Sequence, residues 1–361
     1  MKYNPNNERI KRNYFSFLSD AKGQNEATID GVAMALSRFE EYNKRKDFKS
    51  FHVEQAIAFK KNLATKVSST TGDKLSKATI HSTLRHLKAF FQWLCLQNGY
   101  KSKLTYSDME YFNLAENDVR VATAKREKRV PTLEQIHHVI DSMPSDTPIE
   151  RRNRALIAFT ILTGARDSAI ASFRLCHVDI ADSSVYQDAR VVKTKFAKTF
   201  RTYFFPVDQK YFDIVSEWVT YLKTELLYGD EAPLFPKTKM GLSSNNEFTA
   251  VGFDEKNWAD ANPIRKIFKD AFESADLAYY NPHSFRDTLV RLGERRCSSP
   301  EEFKAWSQNL GHEQVMTTFT SYGEVQPQRQ SEIIRNFKAS EKPLSDVGLK
   351  TELLELLARV N

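Results

Sequence analysis

The feature that most constrains the fold is a change in the spacing of apolar residues at residues 177–206, in a sequence that otherwise has the spacing typical of helices. On either side of residues 177–206, apolar residues recur every three or four positions, which is typical of helices. Residues 177–206 are instead rich in β-branched and aromatic residues, with polar breaks between them. They predict three antiparallel strands at about 177–182, 185–194 and 199–206. The sequence therefore predicts a mainly α protein with one small three-stranded antiparallel sheet.

Residues 1–118 predict a helical domain. The segments ATIDGVAMALSRFEEYNKR and VEQAIAFKKNLATK both have a helical period of apolar residues. The clearest helix is SKATIHSTLRHLKAFFQWLCLQNG, in which one apolar stripe contains Ile80, Leu84, Leu87, Phe91 and Leu94. Residues 119–130, VRVATAKREKRV, carry five basic residues and one acid and predict an exposed linker.

A second domain is predicted over residues 131–335. Two of its helices begin with the spacing of a capping box, in which a threonine is followed three residues later by Gln or Glu: Thr132 with Gln135, and Thr147 with Glu150. Residues 236–262 contain little apolar sequence and predict a loop.

A tail is predicted over residues 336–361. Its last part predicts a short amphipathic helix, with one stripe that contains Leu349, Leu353, Leu356, Leu357 and Val360. A helix this short is marginal alone in water, so it needs a surface on which to bury its leucines.

The positive charge of the chain is concentrated near its start. Residues 1–120 carry 20 Lys and Arg against 13 Asp and Glu, whereas the remainder carries 33 of each. The net charge of +7 therefore lies wholly in the first third. A basic domain ahead of a neutral one favours a polyanion as the partner of the first domain.

Several classes of protein are disfavoured by the sequence. No apolar run approaches the roughly 18 residues of a membrane span, and the first residues lack the apolar centre of a signal peptide. Three separated cysteines have no metal-ligand spacing and favour a reducing compartment. Glycine-rich phosphate loops are absent, so no nucleotide is expected. We expect a cytoplasmic, nucleoid-associated protein without a cofactor or metal.

Five dispersed residues form the set with the clearest chemistry. Their order is Arg166 in TGARDSAI, His283 and Arg286 in NPHSFRDT, His312 in NLGHEQ, and Tyr322 in TTFTSYGE. Arginine stays charged and its planar fork matches two phosphate oxygens. Tyrosine is a covalent nucleophile that a cationic pocket activates. Together these side chains suit the binding of a phosphodiester that a phenolic oxygen attacks.

This ordered set resembles the catalytic motif of the tyrosine recombinases, the phage-integrase family. That motif is an early Arg, a Lys on a β-hairpin, His-x-x-Arg, a His or Trp after Leu-Gly, and a Tyr soon afterwards. The resemblance covers about residues 130–335 well and the N-terminal part more loosely. It implies that residues 1–118 are a core-binding domain and that residues 131–335 are catalytic.

The resemblance also implies roles for these residues. Arg166 and Arg286 would clamp the scissile phosphate, and His312 would hydrogen-bond one of its oxygens. His283 would assist proton transfer or hold Tyr322, and Tyr322 would attack to leave a 3′-phosphotyrosyl bond and a free 5′ hydroxyl.

A hairpin lysine would protonate the leaving oxygen. The segment KTKFAKTF offers Lys193, Lys195 and Lys198. The family often has Thr-Lys before the turn, which favours Lys195 and leaves Lys193 as the next choice. The sequence departs from the family at one supporting position. Relatives often have an acid three residues after the first arginine, where it helps to support the site, and this chain has Ala169 there. Asp167 could replace that acid, but its side chain has a different direction on the helix.

The implied partners are a double-stranded DNA recombination site, other copies of the chain in a homotetramer, and accessory DNA-bending proteins. Three alternatives remain: a type IB topoisomerase-like enzyme that rejoins the original strand, a DNA-binding regulator that retains only the scaffold, and a metal-dependent nuclease. The filled motif argues against the regulator, and the lack of acidic ligands argues against the nuclease.

Overall fold

The first part of the chain is built from helices whose apolar stripes face one another. The computed structural model describes residues 3–68, 72–124, 129–242 and 248–312, and the chain divides into two compact units, Met1–Glu127 and Lys128–Asn361. The helices of the first unit are α1 (Pro5–Ser16), α2 (Glu26–Tyr42), α3 (Val53–Thr65), α4 (Lys77–Leu94) and α5 (Glu116–Thr123). No helix of these described ranges is long and apolar enough to cross a membrane.

Aromatic rings form the centre of the first unit. Phe39 of α2 meets Phe59 of α3 and Phe91 of α4 in edge-to-face contacts, with ring centroids 5.1 Å and 5.4 Å apart. Such offset and edge-to-face pairs add to the free energy that burial of the rings contributes. The predicted stripe of α4 is buried at all five positions.

The first five residues of the predicted linker are helical. Helix α5 ends at Thr123, and it includes an ion pair between Glu116 and Arg120, one helical turn apart. Asp118 also bonds to Lys77 at the start of α4. Local pairing and a bond to a neighbouring helix therefore order a segment that its basic composition made resemble a hinge. Residues 125–128 lie outside the described ranges.

The second unit alternates helices with two small sheets. Its helices are α6 (Leu133–Ser142), α7 (Pro148–Thr163), α8 (Asp167–Ile170), α9 (Gln209–Thr224), α10 (Asn262–Ser274), α11 (Ser284–Arg296) and α12 (Pro300–Asn309). Its strands are β1 (Val178–Asp179), β2 (Ser184–Gln187), β3 (Phe200–Tyr203), β4 (Lys237–Leu242) and β5 (Phe248–Asp254). Both predicted capping boxes are present, at Thr132 and Thr147.

Helix α7 forms the centre of this unit. Every residue from Ala155 to Thr163 is buried, which is typical of a helix covered by neighbours on all sides. The helix ends at Gly164, whose φ of 59° is left-handed. The residues that follow are thus attached to the most buried element of the unit.

The predicted three-stranded antiparallel sheet is confirmed, with shorter strands than expected. The order is β1-β2-β3, and Tyr186 pairs with Arg201 across the second ladder. Strand β2 ends at Gln187 because the Asp188 carboxylate accepts hydrogen bonds from the backbone and side chain of Arg190, which turns the chain. Residues 195–197 then form a short 3₁₀ turn before β3.

The loop predicted at residues 236–262 is wrong, because much of it forms the β4–β5 hairpin. Arg152 of α7 holds the base of this hairpin, with hydrogen bonds to the Pro236 carbonyl (2.9 Å) and the Thr238 hydroxyl (2.8 Å). Its guanidinium also lies 5.4 Å from the centre of the Phe253 ring. Burial lowers the pKa of Arg152 to about 10, so it remains charged at neutral pH.

Candidate active site

Arg166 is placed by the end of the buried helix α7. It stands at the N-cap of α8, after Gly164 and the buried Ala165, whose backbone N–H donates to the Thr163 hydroxyl. The Arg166 side chain is half-buried. Within the described ranges no residue accepts a hydrogen bond from its guanidinium. These donors are therefore available to an anion, on a backbone that packing holds in place.

Gly164 is required by the space around it as well as by its backbone angle. A Cβ atom at this position would lie 2.8 Å from Cδ2 of Leu310 and 3.0 Å from Cδ1 of Leu289. Three segments thus meet at one residue: the end of α7, helix α11 and the turn after α12. Close approach of this kind is possible only without a side chain.

Arg286 of α11 joins the same segments through hydrogen bonds. Its guanidinium donates to the Gly164 carbonyl at 2.5 Å and to the Leu310 carbonyl at 2.6 Å, and it lies 3.1 Å from Nε2 of His312. The side chain is 1% exposed. The planar fork of arginine suits several acceptors at fixed angles, which a lysine ammonium does not. Arg286 therefore organises the site in addition to any contact with a ligand.

His283 lies at the N-cap of α11, one helical turn before Arg286. It is half-buried, and its backbone carbonyl accepts the Arg286 N–H at 3.1 Å. Its ring is near enough to His312 to lower the pKa of that residue. His283 and Arg286 thus both act electrostatically on His312.

His312 lies at the centre of the cluster. It is 7% exposed, and its pKa is lowered to about 3, first by burial and then by the charges of Arg286, Arg166, Lys198 and His283. These basic groups come from separate segments of the chain, and their effect on the pKa of His312 indicates that they lie close together around it. The imidazole is neutral at any ordinary working pH.

The three candidate lysines have different surroundings. Lys193 donates to the Ala259 carbonyl at 3.1 Å, and Lys195 is exposed, with Nζ 4.8 Å from the centre of the Phe196 ring. Lys198 is half-buried and acts on His312. It also lines a cleft of about 620 Å³ with Phe200, Asn309 and His312. Of the three lysines, Lys198 thus lies beside His312, whereas Lys195 lies against the ring of Phe196.

A pattern in the sequence distinguishes Lys198 from the other two. Buried Thr202 and half-buried Phe200 alternate with the exposed Arg201 and Tyr203 along β3. Extending this alternation backwards places Lys198 on the face of Phe200 and Thr202. Lys195 lies beyond a 3₁₀ turn, where alternation no longer applies.

The position at which the resemblance leads one to expect an acid is apolar and buried here. Ala169 is 1% exposed, and the carboxylate of Asp167 is directed away from the basic cluster, since it accepts from Arg265 of α10 at 2.8 Å. The α8 turn is instead tied to the hairpin: the Ser172 hydroxyl accepts the Lys193 N–H at 2.9 Å. Packing and this hydrogen bond support the arginine segment where a carboxylate is expected.

Tyr322 and the predicted tail lie outside the described residues, as does everything after His312. In the part of the chain that the structure covers, no three His, Cys, Asp or Glu side chains are grouped so that they could hold a metal ion.

Sequence comparison finds related curated proteins, although no family model matches the sequence. The chain is 21% identical over 310 residues to tyrosine recombinase XerC of Halalkalibacterium halodurans, an alignment that covers 84% of this chain and 89% of that protein. It is 22% identical over 255 residues to tyrosine recombinase XerC of Lactobacillus leichmannii, which covers 69% of this chain and 72% of that protein.

Solved structures share the fold. A lambda integrase dimer bound to a COC′ core site matches with a TM-score of 0.58 at 12% identity, over 89% of this chain and 96% of that chain. The XerH site-specific recombinase bound to a palindromic difH substrate matches with a TM-score of 0.57 at 18% identity, over 87% of this chain and 81% of that chain. The chain is thus similar in sequence to curated tyrosine recombinases and shares the fold of solved members of that family.

Proposed function

We propose that the protein is a site-specific DNA recombinase that cleaves and rejoins strands through a 3′-phosphotyrosyl bond. The observation that carries this proposal is the convergence of Arg166, Lys198, His283 and Arg286 around the neutral His312. A pocket with this many basic groups suits a phosphodiester anion.

The two arginines have complementary parts in the proposed reaction. Arg166, whose donors are available, binds the non-bridging oxygens of the scissile phosphate. Arg286 donates hydrogen bonds to the Gly164 and Leu310 carbonyls, which holds these two turns together. Its positive charge also acts on the scissile phosphate. Both stabilise the negative charge that develops on the phosphoryl oxygens as the fifth bond to phosphorus forms.

His312 contributes a hydrogen bond in its neutral form. Arginine has no acceptor, so in the contact with Arg286 the Nε2 atom of His312 is the acceptor and the proton of the neutral ring is on Nδ1. An N–H at Nδ1 can donate to a phosphate oxygen. Burial among cations excludes a second proton, so His312 orients the phosphate rather than donating a proton.

Cleavage then proceeds by exchange of one phosphate ester for another. The Tyr322 oxygen attacks phosphorus, its proton passes to His283, and the bond from phosphorus to the 5′ oxygen breaks. We infer that Lys198, rather than Lys195, gives a proton to that oxygen, since Lys198 adjoins His312. The 5′ hydroxyl of a partner strand reverses these steps, and because the phosphotyrosyl bond retains the ester, rejoining needs no nucleotide.

The proposed partner is duplex DNA, and the first unit, which carries the net positive charge, contributes to binding it. Related solved structures include a lambda integrase tetramer bound to a Holliday junction and XerH bound to difH. We propose by analogy that this chain acts as a homotetramer on paired sites, with or without DNA-bending proteins. Such an enzyme works at the nucleoid in the cytoplasm.

A selection for covalent adducts tests the function on DNA of random sequence. The protein is incubated with nicked duplexes of randomised sequence, and DNA that remains bound in hot detergent is recovered and sequenced. We expect one family of duplexes, each joined to Tyr322 through a 3′ phosphate. A regulator that has lost catalysis would yield bound DNA but no adduct, and a topoisomerase-like enzyme would yield adducts without a shared sequence.

A further inference from the structure

The proposed general acid and the phosphate-binding histidine come from segments more than 100 residues apart. Lys198 lies just before β3, and His312 lies three residues after the end of α12. Proton transfer to a leaving oxygen requires these groups to hold a fixed separation to within a fraction of an ångström. Asn309, the last residue of α12, makes the contacts that can fix the separation between Lys198 and His312.

The side-chain amide of Asn309 pairs with the backbone of one residue on β3. The Asn309 Oδ1 atom accepts the Tyr203 N–H at 2.7 Å, and the Asn309 Nδ2 atom donates to the Tyr203 carbonyl at 2.8 Å. Asparagine carries an acceptor and a donor in one plane, so it can pair with a peptide group as another strand would. This two-point pairing sets both the distance and the direction of β3 relative to the end of α12.

The backbone of Asn309 adds a third bond in the same direction. Its carbonyl accepts the Thr202 hydroxyl at 3.0 Å, and that hydroxyl accepts the Gln187 side-chain N–H at 3.1 Å. The contact therefore extends through β3 into β2. Both strands of the lysine hairpin are tied to the end of α12.

A steric contact lies between Asn309 and the histidine. Gly311 has a φ of 73°, and a Cβ atom there would lie 2.5 Å from Cζ of Phe200. The Phe200 ring thus packs directly on the backbone that precedes His312. Phe200 is two residues after Lys198, so the hairpin and the histidine turn touch close to both functional side chains.

We propose that Asn309 is a positioning residue that sets the register between the Lys198 hairpin and the His312 turn. It does not contact the reacting atoms. Its contribution is to the step in which the 5′ oxygen receives its proton, and the inference rests on the proposed role of Lys198. Loss of the amide leaves the phosphate clamp in place, since Arg286 holds the Leu310 and Gly164 carbonyls independently.

The test uses the duplex recovered by adduct selection, prepared with either oxygen or sulfur at the bridging 5′ position of the scissile phosphate. A thiolate leaves without a proton, so the sulfur duplex bypasses the general acid. Rates of adduct formation are measured for the wild type, Asn309→Ala, Asn309→Asp and the matched control Gln308→Ala. Gln308 is the exposed neighbour of Asn309 on the same helical turn.

We expect Asn309→Ala to form adduct about 10- to 100-fold more slowly on the oxygen duplex and within about 3-fold of wild type on the sulfur duplex. Asn309→Asp retains the acceptor for the Tyr203 N–H and should lie between the alanine variant and wild type. Gln308→Ala should match wild type on both duplexes. Equal losses on the two duplexes, or no loss on either, overturns the positioning role.

Lys198→Ala in the same assay separates this inference from the proposed function. If the sulfur duplex restores adduct formation by Lys198→Ala but not by Asn309→Ala, the positioning role of Asn309 is contradicted and the proposed function stands. Failure of sulfur to rescue Lys198→Ala shows that the general acid is another residue, and the role of Asn309 through Lys198 then fails with it. Circular dichroism and thermal unfolding identify any variant that loses its fold, in which case Asn309→Asp decides the outcome.

Discussion

The Arg286 guanidinium lies 3.1 Å from Nε2 of His312, and both side chains are almost fully buried. Burial of the ring favours the neutral imidazole most, and the permanent cation at this distance acts in the same direction. The contact therefore links the charge of an arginine to the protonation state and the tautomer of a histidine at the centre of the site.

This contact predicts a dependence of stability on pH. The pKa of His312 is about 3 in the folded protein, below the usual value of roughly 6.5 in an unfolded chain. The unfolded state then binds more protons between these values, so the free energy of unfolding falls as the pH falls. Between pH 7 and pH 5 the wild type should lose about 1–2 kcal/mol more than His312→Gln. Urea unfolding at several pH values measures this, and parallel curves would show that His312 is not held neutral.

The two arginines should respond differently to replacement by lysine. Arg286→Lys loses hydrogen bonds to two buried carbonyls, which we expect to lower the free energy of unfolding by about 1–3 kcal/mol. Arg166→Lys should change it by less than about 0.5 kcal/mol, because its side chain is half-buried without such bonds. Both should slow adduct formation at least about 100-fold. A stable Arg286→Lys protein would contradict its organising role, and full activity of either variant would contradict its role as a clamp.

Replacement of Gly164 by alanine tests the meeting point of three segments. The new methyl group would overlap Leu310 and Leu289, and its backbone would be left-handed. We expect a loss of at least about 2 kcal/mol in the free energy of unfolding, measured by urea unfolding. Gly23→Ala is a matched control, since Gly23 has the same φ of 59° with no atom within 4 Å of the added carbon. Equal losses in the two variants would mean that the backbone angle alone requires glycine.

Tyr322→Phe tests the nucleophile, which lies outside the described residues. The change removes only the attacking oxygen, so binding of the selected duplex should be unchanged in a mobility-shift assay while the covalent adduct disappears. A persistent adduct would be mapped by mass spectrometry. Its attachment to any other residue would exclude Tyr322.

Truncation after Ser345 tests the tail. Its leucine stripe needs a surface, and by analogy with the family we expect that surface to be on a neighbouring protomer. The truncated protein should bind one site and cleave a nicked duplex, yet fail to pair two sites in native gel electrophoresis. Wild-type yields of paired complex would indicate that the tail packs on its own domain.

Structural features that depend on residues close together in the chain were predictable from the sequence. The capping boxes at Thr132 and Thr147 depend on hydrogen bonds across three residues, and both are present. The α4 stripe follows from helical period alone. The three-stranded sheet was recognisable because β-branched and aromatic residues interrupt that period.

Features set by distant residues were not predictable. The β4–β5 hairpin has mostly exposed side chains, so it lacks an apolar pattern, and it depends on Arg152 more than 80 residues earlier. Similarly, the choice among three hairpin lysines depends on the 3₁₀ turn at residues 195–197 and on contacts of β3 with α12. The local Thr-Lys motif favours Lys195, whereas the lysine that the structure brings to the basic cluster is Lys198, three residues later.

The pairing of Asn309 with Tyr203 also has a consequence for solubility. Strand β3 is the last strand of its sheet, and an uncovered edge of this kind offers unpaired backbone groups to other chains. Asn309 occupies two of these groups on β3, with the end of α12 behind it. The turn that leads to His312 thus also covers these two groups of the edge strand, which closes them to pairing with a strand of another chain.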